Sequence, residues 1–423
     1  MPLLYKQALF YFCLLLPLLL LLFCSAEIQV CQSDLECNLN GICDDAGTCH
    51  CDDAWMGKNC SKLILLPTSA QSGYRPSKTS SWGGSVMYFD GLYHMFPAEM
   101  VESCGLSSWK TNSRIIHATS KRLEGPYTFQ KEVIGVWSHN PTIVKASDGT
   151  LLLLSAGYGS DISGSGMPPP EVCGPTGCCS NGASPCGIHR GHPCNAAWPP
   201  QPDPDPAARN PLGAYRNFTA YISPNGNPFG PWIPTILPTN EETHQYTPSG
   251  VTFPNGTVVV LLVGGGMFRA DHSWAGPYQR WGNGMYWGCG GEDPFLYIDK
   301  RGHWHCLFHS GPYNNLSSAG GHSFSLDGLN WHTTPEPTYR GDYIEEIFEH
   351  GIQRTKIAKR ERPHLVFDED GNILALITGI CYGENWALCN NNPWPGYFDR
   401  TFTHVQLVAG RNHGIFTDAV QRH

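Results

Sequence analysis

The sequence predicts an all-β protein: a five-bladed β-propeller preceded by a small disulfide-rich module. Three observations carry this. Gly, Pro and aromatic residues are plentiful while charged residues are sparse, at 15% of the 423-residue chain, a composition suited to short strands joined by many turns. A strand–turn–strand pattern recurs at constant internal spacing. Six cysteines crowd into residues 31–60.

The recurring unit is clearest in four copies, "NPTIVKASDGTLLLL" from Asn140, "TPSGVTFPNGTVVVL" from Thr247, "DPFLYIDKRGHWHCL" from Asp293 and "RPHLVFDEDGNILAL" from Arg362. Each has Pro eight residues before a turn Gly: Pro141 and Gly149, Pro248 and Gly256, Pro294 and Gly302, Pro363 and Gly371. A fifth copy, "WGGSVMYFDGLYHMF", puts Gly83 at the Pro position if counted back from Gly91. A Gly in the turn accepts positive φ, which tight hairpins require. Pro at the first residue of a strand loses a donor that the ladder does not need there. Downstream segments such as "SRIIHATS", "FTAYISP", "MFRADHS", "GGHSFSLDG" and "FTHVQLV" supply further strands, several running into "GPY" or "GPW" turns. A repeat of this size means an array of small sheets. Five four-stranded blades closed in a ring protect their edges. The alternative is a β-sandwich with coincidental hairpins.

The expected organisation is a signal peptide over residues 1–26, a stapled module over 27–61 and the propeller over 62–423, with a Cys/Pro-rich insertion at about 158–212. The apolar run from Ala8 to Cys24, followed by Ser25-Ala26, reads as a secretory signal; an uncleaved signal anchor tethering the chain is the alternative. Of eighteen cysteines, sixteen follow Ala26, an even number that fits paired disulfides in an oxidising compartment. Sequons at Asn217, Asn255 and Asn315 are compatible with a secreted glycoprotein. The net charge of -9 offers no field for nucleic acid.

In the stapled module Cys31, Cys37, Cys43, Cys49, Cys51 and Cys60 leave fifteen pairings open by spacing alone. A segment this short cannot bury a core and depends on such staples, a zinc site being the other way to fold it. Its last stretch, "CHCDDAWMGKNC", resembles an epidermal growth factor-like (EGF-like) module. That resemblance implies the pairs Cys31–Cys43, Cys37–Cys49 and Cys51–Cys60. No calcium-binding pattern precedes Cys31, so the module is expected to be a spacer or a docking surface for an extracellular protein partner.

The x-Pro strand entries, the Asp-Gly turn and the "GPY/GPW" turns, spanning roughly residues 80–410, resemble the five-bladed propellers of the family-43 glycoside hydrolases. The resemblance implies a carbohydrate substrate or ligand, with carboxylates at the strand entries acting as base, acid and modulator. The residues before the Pro-like positions are Trp82, Asn140, Thr247, Asp293 and Arg362, and one step earlier stand Ser81, His139, Tyr246, Glu292 and Glu361. Only Asp293 carries the family's carboxylate in register, and Trp82 departs from it. Glycoside cleavage needs two carboxyl groups whose pKa values are pushed apart.

The expected catalytic group is therefore Glu292 as acid and Asp293 or Glu361 as base or nucleophile, with Arg362 holding Glu361 ionised. Trp82, His139, Asn140, Tyr246 and Arg362 are the expected substrate-binding residues, since sugar rings pack their C–H faces on aromatic rings. The rival reading is a non-catalytic carbohydrate-binding or adhesion protein. No cofactor is expected, and an ion in the channel is left open. The five cysteines of the insertion, with His189 and His192, are read as disulfides in preference to zinc, with Cys104 as a partner by elimination. Arg340-Gly341-Asp342 is read as a chance tripeptide, and the basic stretch from Arg354 as a solvated face leading to the channel.

Overall fold

The computed structural model describes residues 31–77, 79–102, 104–157, 159, 217–240, 247–262, 266–282, 291–309, 320–383 and 401–410. The signal segment, most of the Cys/Pro-rich insertion and Tyr246 lie outside these residues.

Among the described residues five sheets of four or five strands follow one another along the chain, antiparallel except where Thr68–Ser69 pairs parallel with Glu346–Ile347. Blade 1 holds Ser80–Phe89, Leu92–Met100, Ser113–Ser120 and Thr128–Ile134, in that order from axis to rim. Blades 2, 3 and 4 repeat the meander, opening with Ser138–Lys145, Ser249–Thr252 and Glu292–Ile298. Between strands of blade 1 lies a short helical stretch, Leu106–Asn112. The faces between blades are filled by alternating apolar residues, as in the cluster of Val144, Leu152, Leu154, Val258, Val260 and Phe268 between blades 2 and 3.

Blade 5 is built differently. Its first strand, Gly351–Phe367, is long enough to pair with Tyr343–Phe348 in its first half and with Ile373–Tyr382 in its second. The sheet then continues to Thr401–Leu407. Beyond that strand runs the segment that leaves the stapled module. Leu66 N–H donates to Leu407 O at 2.8 Å and Tyr74 N–H to Thr403 O at 2.9 Å. The start of the chain thus closes the ring on its end.

Residues 31–60 carry the disulfides Cys31–Cys43, Cys37–Cys49 and Cys51–Cys60, the pairing that the resemblance implies. Cys104, Cys306 and Cys381 are also disulfide-bonded. The module is more than a spacer. Trp55, 5% exposed, and Leu63 share one apolar cluster with Tyr297, Leu307, Leu365, Leu376 and Val408 of blades 4 and 5. Polar contacts seal the seam: Arg301 donates to Asp52 Oδ2 at 2.7 Å and to Leu39 O at 2.6 Å.

Candidate functional site

Blades 1, 2, 4 and 5 enter their innermost strands through a bulge. The pairing register slips between Trp82 and Ser85, His139 and Thr142, Glu292 and Phe295, and Glu361 and His364. The entry residue of each of the five blades has positive φ: Gly83 at 57°, Asn140 at 54°, Thr247 at 40°, Asp293 at 57° and Arg362 at 61°. For non-glycine residues just before Pro this is a strained conformation, tolerated where packing enforces it. Its effect is to swing five consecutive entry positions toward one axis.

This geometry corrects the register expected in blade 1. The bulge residue there is Gly83, with Gly84 in the Pro position, and Trp82 aligns with His139, Glu292 and Glu361. The cause is a shorter hairpin. Phe89 pairs with Leu92 across Asp90-Gly91, whereas Lys145 pairs with Leu151 across five residues. Counting eight back from the turn Gly therefore lands one residue too early in the chain.

Arg362 fills the space over Gly83. Its guanidinium meets Asp293 at 2.7 Å (Nη1 to Oδ1). Arg362 was expected to hold Glu361; it holds Asp293 instead, and Lys359 Nζ takes Glu361 at 2.8 Å. Asn140 Nδ2 adds a long contact to Asp293 Oδ1 at 3.4 Å. Around these residues the axis encloses a cavity of about 10 Å3 lined by Asn140, Thr247, Asp293, Arg362 and His364. That leaves room for about one water molecule.

At the mouth the organising residue is His309, which pairs across the sheet with Glu292. No sequence signal singled it out, because it ends the second strand of its blade and not the first. Its Nδ1 lies 2.7 Å from Asp293 Oδ2, an ion-pair contact off the line of an aligned hydrogen bond. Its Nε2 lies 3.5 Å from Glu292 and 3.4 Å from Glu361. Three expected carboxylates thus converge on one imidazole. Glu292 and Asp293 meet that imidazole from different depths: the Glu292 side chain is 74% exposed and that of Asp293 5%.

Charges inside the group are strongly biased. Burial pushes the Asp293 carboxyl up, but Arg362 and His309 outweigh it and hold it well below the usual carboxylate range. Burial lowers His309, yet the negative charges of Asp293, Glu361 and Glu292 prevail and raise it above the ordinary histidine value. Burial lowers the Lys359 amine, offset in part by Glu361. Oxygen or nitrogen atoms of Asp293, His309 and Glu361 lie within 4.8 Å of one another, close enough to share a metal ion. Arg362 and Lys359 already supply cations to both carboxylates, which disfavours one there.

The expected aromatic platform lies below the surface. Trp82 is 1% exposed, clustered with Met100 and Leu106, and Lys359 Nζ sits 5.6 Å from its ring. His139, also 1% exposed, is 2.6 Å from Ser113 Oγ through Nδ1, and burial pushes its imidazole well below the ordinary value. Arg340 and Asp342 of the adhesion-type tripeptide bond each other at 2.9 and 2.7 Å.

Residues 31–60 match the family model of the EGF-like domain. The chain has no match among curated proteins. Solved structures similar to it include the family-43 protein BlXynB of Bacillus licheniformis, at 13% identity and a TM-score of 0.44, covering 80% of this chain and 55% of that one. A family 117 glycoside hydrolase of Zobellia galactanivorans has 11% identity and a TM-score of 0.44, with 85% and 91% covered. An α-L-arabinofuranosidase of Lactobacillus brevis has 12% identity and a TM-score of 0.41, with 81% and 92% covered. The chain spans little more than half the length of BlXynB.

Proposed function

We propose that the protein is a secreted, glycoside hydrolase-like protein that takes an extracellular glycan at the propeller mouth, with His309 as proton donor and Glu292 as the base that activates water. The observation that carries this reading is the position of His309 Nε2, between Glu292 and Glu361 with Asp293 behind it. An acid must be protonated at working pH and a base must not be. Surrounding carboxylates raise His309, which favours the protonated form. Asp293 stays ionised on its Nδ1 side, so Nε2 is the atom directed at the mouth. Glu292, at the exposed rim, has room for a water molecule and a sugar.

The carboxylate oxygens of Asp293 and Glu361 stand within 4.8 Å, near the spacing of a retaining pair. Each, however, has a cation at 2.7 or 2.8 Å, which ties up its charge and leaves neither as a free nucleophile. In this reading Asp293 is a positioning residue, and Glu361 with Lys359 shapes the wall of the site.

One observation favours a second reading, a carbohydrate-binding protein without turnover. Gly83 provides no side chain at the first entry, where the resembled family has its base. The test is release of reducing sugar from a panel of polysaccharides, with binding measured in parallel. Hydrolysis should be lost in His309→Gln and Glu292→Gln while binding persists. Binding by the natural protein with no turnover on any panel member supports the second reading, and full activity in His309→Gln sinks the first.

A further inference from the structure

A second concentration of ligating side chains lies away from the channel, where the EGF-like domain meets blades 4 and 5. A cleft of about 640 Å3 opens there, between Asp52 and Trp55 of the domain and Tyr297, Asp299, His305 and Phe367 of the propeller. That volume suits a small ligand.

Asp299 begins the hairpin turn of blade 4. Its Oδ1 accepts the backbone N–H groups of Arg301 at 2.9 Å and His303 at 2.8 Å, which fixes the carboxylate. Oδ2 then faces two imidazoles, His303 Nδ1 at 3.1 Å and His305 Nε2 at 3.5 Å. All three ligating atoms lie within 4.8 Å of one another. Tetrahedral coordination with bonds of about 2.0–2.1 Å puts neighbouring donors roughly 3.3 Å apart, between the two measured separations.

Two buried polar atoms at this place lack an aligned hydrogen bond among the described residues, His305 Nε2 having only its 3.5 Å contact with Asp299 Oδ2. One is His305 Nε2, on a residue 1% exposed; the other is Tyr297 Oη, on a residue 5% exposed whose ring stacks on His305 at 4.8 Å. Buried polar groups normally find a partner. The outer side of His305 is held in turn: Nδ1 lies 2.9 Å from His322 Nε2, and Asn40 of the EGF-like domain lies 3.5 Å beyond it. Outer contacts of this kind orient ligating imidazoles.

We propose that Asp299, His303 and His305 bind one divalent transition ion of the zinc class, with a coordination position open to the cleft. Two imidazoles and a carboxylate suit such an ion, whereas calcium takes oxygen ligands. Arg301 is the competing cation, with Nε 3.3 Å from Asp299 Oδ2. Its Nη2 is anchored on Asp52 and Leu39, so it has a resting place on the domain when the ion takes the carboxylate.

The full chain, stripped with a chelator, would be titrated with zinc chloride by calorimetry and with cobalt(II) by visible absorption. One equivalent should bind, with the intense bands of tetrahedral cobalt. His303→Ala, at a side chain 16% exposed, should lose at least about 100-fold in affinity together with those bands, while His309→Gln in the channel should not. If His303→Ala fails to fold, His303→Gln serves for the same comparison. No uptake by the natural chain, or equal affinity in the His303 variant with the ion held elsewhere, overturns the proposal.

Discussion

Arg362 lies across Gly83. A Cβ built on Gly83 would stand 2.9 Å from Arg362 Cβ and 3.0 Å from its Cδ, and Gly83 itself has φ of 57°. The missing side chain of blade 1 is therefore the space in which the blade 5 arginine reaches Asp293 of blade 4. Gly83→Ala should cost about 1–3 kcal/mol through strain and displacement of that arginine. An unchanged denaturation midpoint would show that the contact is not needed.

Arg362 and Asp293 form a buried pair, 12% and 5% exposed, with Nη1 to Oδ1 at 2.7 Å. Breaking such a pair from one side leaves an uncompensated charge, at roughly 3–5 kcal/mol. Arg362→Met should be destabilised on that scale, and Asp293→Asn placed in the same chain should recover most of the loss. Purely additive costs in the double-mutant cycle would mean that the two residues do not act together.

Stability should fall on both sides of neutrality, for opposite reasons. Burial pushes His117 down to about 3 and His364 down to about 4. The unfolded chain titrates these groups near ~6.5, so below that pH it binds more protons than the folded state and stability drops toward the folded values. His309 is raised. Its contribution is complete below ~6.5 and is lost as pH rises through its folded value. Denaturation measured against pH should show a weaker acid-side slope in His117→Gln and a weaker alkaline-side slope in His309→Gln. Unaltered slopes in both variants would refute this account.

The same sign governs activity under the proposed mechanism. Turnover should decline as pH rises through the His309 value, since the donor must carry its proton. A rate that keeps climbing beyond that range would exclude His309 as the acid.

Trp55 shares its apolar cluster with blades 4 and 5. Trp55→Ala should cost about 3–5 kcal/mol and lower a single transition seen alike by near-ultraviolet and far-ultraviolet signals. Early, separate melting of residues 31–60 would mean that the EGF-like domain is only tethered to the propeller.

Much of the architecture was legible because it is written in local chemistry. The turn glycines at 149, 256, 302 and 371 all adopt positive φ. The Pro residues mark the strand entries, and the cysteine pattern resembles a domain whose pairing is the observed one. What went astray was blade 1, where a hairpin one residue shorter shifted the count from Gly83 to Trp82. A count along the chain cannot sense a deletion that cross-strand pairing absorbs.

By itself the sequence determined the repeat, the stapled domain and the three acidic residues at the entries of blades 4 and 5. Only the tertiary structure decided their partners: Arg362 with Asp293 and not Glu361, Lys359 with Glu361, and His309 among all three. Local propensity acts over a few residues and sets turns and strands. Charge pairing depends on distance through space, and ring closure brings together groups that the chain itself keeps far apart.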